Sequence, residues 1–326
     1  MNTPLYSGVI INYVCTAACK HCIVASSPDC PKDHITEETA ERIARLLRES
    51  GAYSVHIGGG EPFINFSSLC TAIRALTRNG IEIDYIETNG FWCSDEKFVR
   101  ERLYKLKELG VTTIMVSADP FHIEYVPLYR PLLLCKLLRE CGFDFFVWKD
   151  RYLRSLSRLD ITKSYSEEEL KEALGEDYIA STAAEYGVGM NGRALSIADS
   201  IYPRRHYEEF ISSSPCSRLL LPHHCHIDLY GNGLPDGCPG LAMEMRDYLS
   251  EALDDGKYPV FTALVKGGTE ALYSYAKEKG FVPREEGYPT RCSFCYAMRR
   301  YLASLDNPSR DLAPMSFYHS MDKENI

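Results

Sequence analysis

The chain has 326 residues, 45% hydrophobic and 25% charged, which is ample apolar material for one large or two ordinary domains. Its formal net charge of −9 argues against nucleic acid or an anionic membrane as a partner, because both select a basic footprint. No stretch approaches the roughly 18 apolar residues of a membrane span, and Met1–Ser7 has no basic segment leading into an apolar one, so a cytoplasmic location is expected.

The first 200 residues alternate short β-branched or aromatic runs with amphipathic stretches. The runs Gly8–Val14, Tyr53–Ile57, Glu82–Glu87, Thr112–Ser117, Phe143–Trp148 and Tyr186–Met190 read as strands. Between them, Ala40, Ile43, Ala44 and Leu47 follow helical spacing, with Thr36 as N-cap and Gly51 past the end. Leu69, Ala72, Ile73 and Leu76 repeat the pattern up to Asn79-Gly80, and a third helix runs from near Asp95 to Leu109. Ser166-Glu-Glu-Glu169 is a capping box that opens a fourth. Six strand–helix units in a row predict a parallel sheet, open or closed into a partial barrel. From about Tyr202 the alternation fades, and Pro, Gly, Cys and His cluster between Pro215 and Gly240. A helical Tyr/Ala/Lys stretch follows at Glu270–Lys279, and the last twenty residues read as a loose tail.

Thirteen cysteines is a high count for a reducing compartment, where thiols are more often metal ligands, nucleophiles or core residues than disulfide partners. Three of them, Cys15, Cys19 and Cys22, fall in one short segment after the first strand. That spacing lets a loop wrap three thiolates around one corner of an iron–sulfur cube and leaves one iron open to an outside ligand. A zinc site completed by His21 or Cys30, or a set of unrelated thiols, are the alternatives. The second strand ends in Gly58-Gly59-Gly60-Glu61-Pro62, where missing side chains let a ligand approach the backbone and Glu61 offers an acceptor for an ammonium group. The third ends in Thr88-Asn89-Gly90 and the fourth in Ser117-Ala118-Asp119. Asn191-Gly-Arg193 follows the sixth, with an Arg suited to clamping a carboxylate. All these motifs fall at the carboxyl ends of strands, where parallel βα folds bind ligands.

Cys15-x3-Cys19-x2-Cys22 followed by Gly59-Gly60-Glu61-Pro62 resembles the radical S-adenosylmethionine (SAM) superfamily over roughly residues 7–200. The resemblance implies an α/β fold, a partial (β/α)6 barrel, with a 4Fe–4S cluster on Cys15, Cys19 and Cys22. It also implies reductive cleavage of SAM to a 5′-deoxyadenosyl radical that abstracts hydrogen from substrate. Gly59, Gly60 and Glu61 would then hold the methionine ammonium, Ser117 and Arg193 would serve ribose and carboxylate, and His21 would lie against the adenine. On this basis Glu61 and Arg193 are expected to matter for SAM rather than for folding. An external electron donor such as flavodoxin or ferredoxin is implied as a partner.

Beyond the barrel, Cys225 to Cys238 reads as a strand, a Gly231-Asn-Gly233 turn and a cysteine on the return, and Cys292-x2-Cys295 opens a helix. One cysteine, a Gly-x4-Cys and a distant Cys-x2-Cys resemble the auxiliary-cluster extension of the same superfamily, of the SPASM type in its one-cluster twitch form. That implies a second 4Fe–4S cluster on Cys216, Cys238, Cys292 and Cys295. Sixteen residues between Cys216 and Gly233 are slightly more than usual and the seven after Cys225 too few, so Cys225 is a spare thiol or a substitute ligand. A zinc site using His223, His224 or His226 with Cys292 and Cys295 is the alternative. The chain then divides into a radical SAM core over 1–205, a small iron–sulfur extension over 206–305 and a disordered tail over 306–326. Cys70, Cys135 and Cys141 sit among leucines as core residues.

Asn89-Gly-Phe-Trp92 and Ser117-Ala-Asp119-Pro-Phe-His122 resemble maturases of ribosomal peptides. A peptide substrate undergoing Cα epimerisation or cross-linking is therefore expected, and in an epimerase Cys225 would be the thiol that returns hydrogen. Oxidation or rearrangement of a small molecule is the rival enzyme reading, and a zinc-stabilised binding module the non-enzymatic one.

Overall fold

A computed structural model of the chain describes residues 6–220, 224–250 and 253–323. The first five runs form parallel strands β1 (Tyr6–Ile10), β2 (Ser54–Gly58), β3 (Glu82–Thr88), β4 (Thr113–Ser117) and β5 (Asp144–Trp148). Helices α1 (Glu37–Glu49), α2 (Phe66–Arg78), α3 (Glu96–Glu108), α4 (Pro120–Ile123) and α5 (Tyr129–Glu140) connect them. Their caps follow the sequence. Thr36, Asn65 and Asp95 each accept the backbone N–H three residues on, closing the first turns of α1, α2 and α3. Ile43 and Leu47 of α1, Leu69 and Ile73 of α2 and Val9 and Ile57 of the sheet have no exposed surface. Such side chains stabilise the layer by roughly 1.5–3 kcal/mol each.

After β5 come α6 (Arg151–Leu156), α7 (Glu167–Leu174), α8 (Tyr178–Tyr186) and α9 (Leu195–Ile201). Both halves of the capping box at Ser166 and Glu169 are present. The expected strand Tyr186–Met190 is absent. Tyr178, Thr182 and Ala183 are buried at helical spacing, and Gly187, with φ +66°, caps α8 in the left-handed region. β5 is therefore an edge of the sheet. On the opposite side, β6 (His224–Asp228) runs parallel to β1, and β7 (Asn232–Pro235) and β8 (Met243–Glu244) add antiparallel strands, giving the order β5-β4-β3-β2-β1-β6-β7-β8. The extension thus completes the sheet of the core.

The rest is helical: α10 (Ser217–Leu220), α11 (Met245–Ser250), α12 (Pro259–Glu278), α13 (Arg291–Ala303) and α14 (Met315–Lys323). The tail expected to be loose over 306–326 instead carries α14, whose Phe317, Tyr318 and Met321 enter a second core with Phe294 and Met298 of α13. Three apolar side chains at spacings of one and three residues suffice to dock so short a helix, a pattern easily lost among its polar neighbours. Among the described residues, no helix is long and apolar enough to cross a membrane.

Candidate active site

A cavity of about 420 Å³ opens at the carboxyl ends of the strands. Cys15, Cys19, Cys22, Gly59, Gly60 and Glu61 all line it, and so do His21, Thr88, Asn89 and Ser117.

The cysteine loop is bound tightly to its surroundings. The Cys22 N–H donates to the Cys19 carbonyl at 2.9 Å. The Ala17 N–H points at Cys15 Sγ (3.4 Å) and the Ser26 N–H at Cys22 Sγ (3.3 Å). Burial, and then the neighbouring Cys19 thiol, push Cys15 well above the ordinary thiol range, and burial raises Cys19 as well. Three crowded thiols with N–H groups aimed at sulfur fit a cationic iron–sulfur core, which would hold them as thiolates.

The glycines beside them are required by close approach. The Gly60 N–H donates to the Asn12 carbonyl at 2.9 Å, and the Glu61 N–H donates to the Val14 carbonyl at 3.0 Å. A Cβ on Gly59, where φ is +151°, would lie 2.7 Å from the Asn12 oxygen, and one on Gly60 2.1 Å from the Val14 oxygen. Glu61 itself is buried. Its Oε1 accepts from the Thr88 hydroxyl (2.9 Å) and the Phe63 N–H (3.1 Å), and its Oε2 from the Asn89 N–H (2.8 Å). Burial pushes its pKa up to about 7 against the pull of these donors.

Arg193 is not among the residues that line the cavity. It is 1% exposed, and its guanidinium donates to the carbonyls of Cys19 (3.1 Å), Ala25 (2.9 Å) and Ser26 (2.9 Å). It clamps the cysteine loop from behind. His21 packs between Phe121, His122 and Tyr186, with ring centroids 4.8–5.1 Å away, and burial lowers its pKa to about 4. Its neighbours converge on the fully buried Asp119, which accepts from the Tyr186 hydroxyl (2.6 Å), the Phe121 N–H (2.8 Å) and the His122 ring. Although burial opposes its charge, His122 and His21 hold Asp119 well below the usual carboxylate range.

The auxiliary thiols also gather. Cys216, Cys238, Cys292 and Cys295 each lie close enough to influence the ionisation of others in the set, and burial pushes Cys238 up to about 12. Arg299, 5% exposed, sits beside Cys238 and Cys295 and donates to the Pro239 carbonyl at 2.7 Å. Four thiols around one buried cation fit a second anionic cluster. Cys225 is elsewhere. It has no exposed surface, faces the helix-covered side of the sheet and meets the Ser7 hydroxyl at 3.7 Å, so it neither joins the four nor lines the cavity. Cys70, Cys135 and Cys141 are buried as expected of core residues, and so are Cys30 and Cys93. His223 lies outside the described residues.

The far wall of the cavity is formed by His56, Tyr85, Glu87, Trp148, His224 and His226; sequence reasoning missed the first four and considered His224 and His226 only as partners of Cys292 and Cys295, which do not line this wall. The signal was present in the i, i+2 spacing of His224 and His226, which puts both on one face of a strand.

Residues 9–154 match the Radical SAM superfamily. The mycofactocin maturase MftC of Mycolicibacterium smegmatis is 24% identical over 255 residues, covering 74% of this chain, and the chain spans 59% of that relative's length. Among solved structures, anSMEcpe with bound AdoMet is 13% identical with a TM-score of 0.43, covering 98% of this chain and 95% of that one. Streptococcus suis SuiB bound to precursor peptide SuiA is 16% identical with a TM-score of 0.39, covering 90% of this chain and 76% of that one. Residues 9–154 are thus a radical SAM domain, followed in this chain by a cysteine-bearing C-terminal extension.

Proposed function

We propose that this enzyme matures a ribosomally made peptide. In this reading Cys15, Cys19 and Cys22 hold the SAM-binding cluster, and Cys216, Cys238, Cys292 and Cys295 hold a second one. The chemistry supplied at the first is reductive cleavage of SAM to a 5′-deoxyadenosyl radical that abstracts hydrogen from substrate, with the electron coming from a flavodoxin- or ferredoxin-type donor. The observation that carries the reading is the convergence of the three thiols, Gly59, Gly60 and Glu61 on one cavity.

The protein's own part is positional. Arg193 and the Asn12 and Val14 carbonyls hold the two loops together, and Glu61 ties the end of β2 to that of β3. Ser117 offers a half-buried hydroxyl for ribose, and His21, held in its cage by Asp119, Tyr186 and Phe121, offers a ring face for adenine. The peptide reading is supported by the maturase relative and by the exposed Phe146 and Trp148 on edge strand β5, a strand to which an extended peptide can add. Cross-linking is favoured over epimerisation, because the only thiols among the described cavity-lining residues are the three proposed cluster ligands.

The test is to co-express the enzyme with the short open reading frames beside its gene and weigh the peptides. The expected product has lost two hydrogens and forms with stoichiometric 5′-deoxyadenosine. Unchanged peptides, together with 5′-deoxyadenosine release driven by a small molecule, would overturn the reading.

A further inference from the structure

The cavity wall opposite the cysteine loop carries three histidines that no step above uses. His56 lies on β2, His224 and His226 on β6, and one ligand nitrogen from each lies within 4.8 Å of the other two. Gly8 of β1 is paired with His56 on one side and His226 on the other, so the three residues form one row across the sheet. The two imidazoles fold toward each other over the place where Gly8 has no side chain. A Cβ there would come within 2.3 Å of His56 Nε2 and 2.6 Å of His226 Cδ2.

We propose that His56, His224 and His226 bind one divalent transition-metal ion, distinct from both thiol sites, with its remaining coordination open to the substrate cavity. The distances carry this. His226 Nε2 is 3.3 Å from His56 Nε2 and 3.4 Å from His224 Nε2. Tetrahedral zinc with Zn–N of about 2.0–2.1 Å sets its nitrogens about 3.3–3.4 Å apart. Hydrogen bonding serves the trio poorly. A neutral imidazole nitrogen offers either one N–H or one lone pair, so His226 Nε2 cannot serve two neighbours well. One cation accepts a lone pair from all three.

The surroundings suit a cation. Glu87 Oε1 is 3.6 Å from His56 Nε2, and Gly58 leaves room for that carboxylate, since a Cβ there would lie 2.8 Å from Glu87 Oε2. Asp236 also lines the cavity. The Tyr85 ring stacks on His56 with centroids 5.0 Å apart and planes 7° from parallel, which fixes the orientation of that ligand. Three imidazoles with an open position are a donor set for zinc or another first-row divalent ion, and such a site orients a carbonyl or carboxylate of a bound molecule.

The test uses the reconstituted holoenzyme equilibrated anaerobically with Zn²⁺, passed through a desalting column and analysed for zinc and iron together. The expected result is about one zinc per chain beyond the cluster iron. His224→Gln and the double variant His56→Gln/His226→Gln should lower zinc affinity at least about tenfold while iron content and SAM binding stay unchanged. The Cys15→Ala/Cys19→Ala/Cys22→Ala variant should keep its zinc. Zinc K-edge absorption should show nitrogen neighbours at about 2.0–2.1 Å and no sulfur at about 2.3 Å. No retained zinc in the wild type, zinc that persists in the histidine variants, or a sulfur shell would each overturn the proposal.

Discussion

The Glu61 carboxylate, just past the glycine pair that ends β2, accepts the backbone N–H of Asn89 at the end of β3 across 2.8 Å. Asn89 in turn points its side-chain amide at Cys15 Sγ, 3.7 Å away. Through these two residues the glycine motif and the cysteine loop are held by the same strand end. Residues expected to serve the cofactor are therefore also part of the framework.

Glu61→Gln should test this double role. The amide would turn an N–H₂ toward a group that donates, leaving one buried donor unmet at about 1.5–3 kcal/mol. Thermal denaturation should show a lower midpoint in the cofactor-free protein, and SAM titration a weaker affinity. A variant weakened only toward SAM would show that the three donors to Glu61 contribute nothing to folding.

For Arg193 the expectation shifts from cofactor contact to loop clamp. Arg193→Lys keeps the charge but loses the planar fork that reaches three carbonyls. Reconstituted Arg193→Lys should be deficient in the first cluster, falling short of the wild type by up to about four irons per chain. Full iron content with impaired SAM binding would instead restore the carboxylate role.

Cys225→Ala should retain full iron content and SAM cleavage, with a stability loss of about 1 kcal/mol for the small cavity left between β1, β6 and their helix layer. Iron analysis and 5′-deoxyadenosine assays decide. Loss of the second cluster would make Cys225 a ligand, and a stalled substrate radical would make it a hydrogen donor.

Asp119→Asn should make stability less dependent on acid pH. The native pKa of Asp119 lies below its unfolded value of about 3.9, so its contribution is present above that pH and is lost as pH falls below it. The variant should be less stable at pH 7 by about 1.5–3 kcal/mol, with the gap to wild type closing below about pH 4. Denaturation of the cluster-free protein from pH 7 to pH 3 measures both, and a constant gap across that range would exclude the carboxylate as the source.

Local chemistry, legible without a fold, determined much of this protein. Thr36, Asp95 and Ser166 are caps because their side chains reach amides three residues away, and α1 and α2 are amphipathic because their apolar residues recur at helical spacing. Cys15, Cys19 and Cys22 declare their chemistry within eight residues. What the tertiary structure decided is which distant groups share a wall. Arg193 follows a region that looked like a sixth strand and was placed by position, yet α8 ends at Tyr186, an irregular segment follows, and the Arg193 guanidinium reaches the cysteine loop. Tyr186–Met190 failed as a strand because Gly187, with φ +66°, closes α8 inside it in the left-handed region. The pairing of β6 with β1, more than 200 residues apart in sequence, was invisible to periodicity. That register alone turns Cys225 into the core and brings His224 and His226 across Gly8 to His56. A strand's alternation says which residues share a face, but only its partner says which face looks into the cavity.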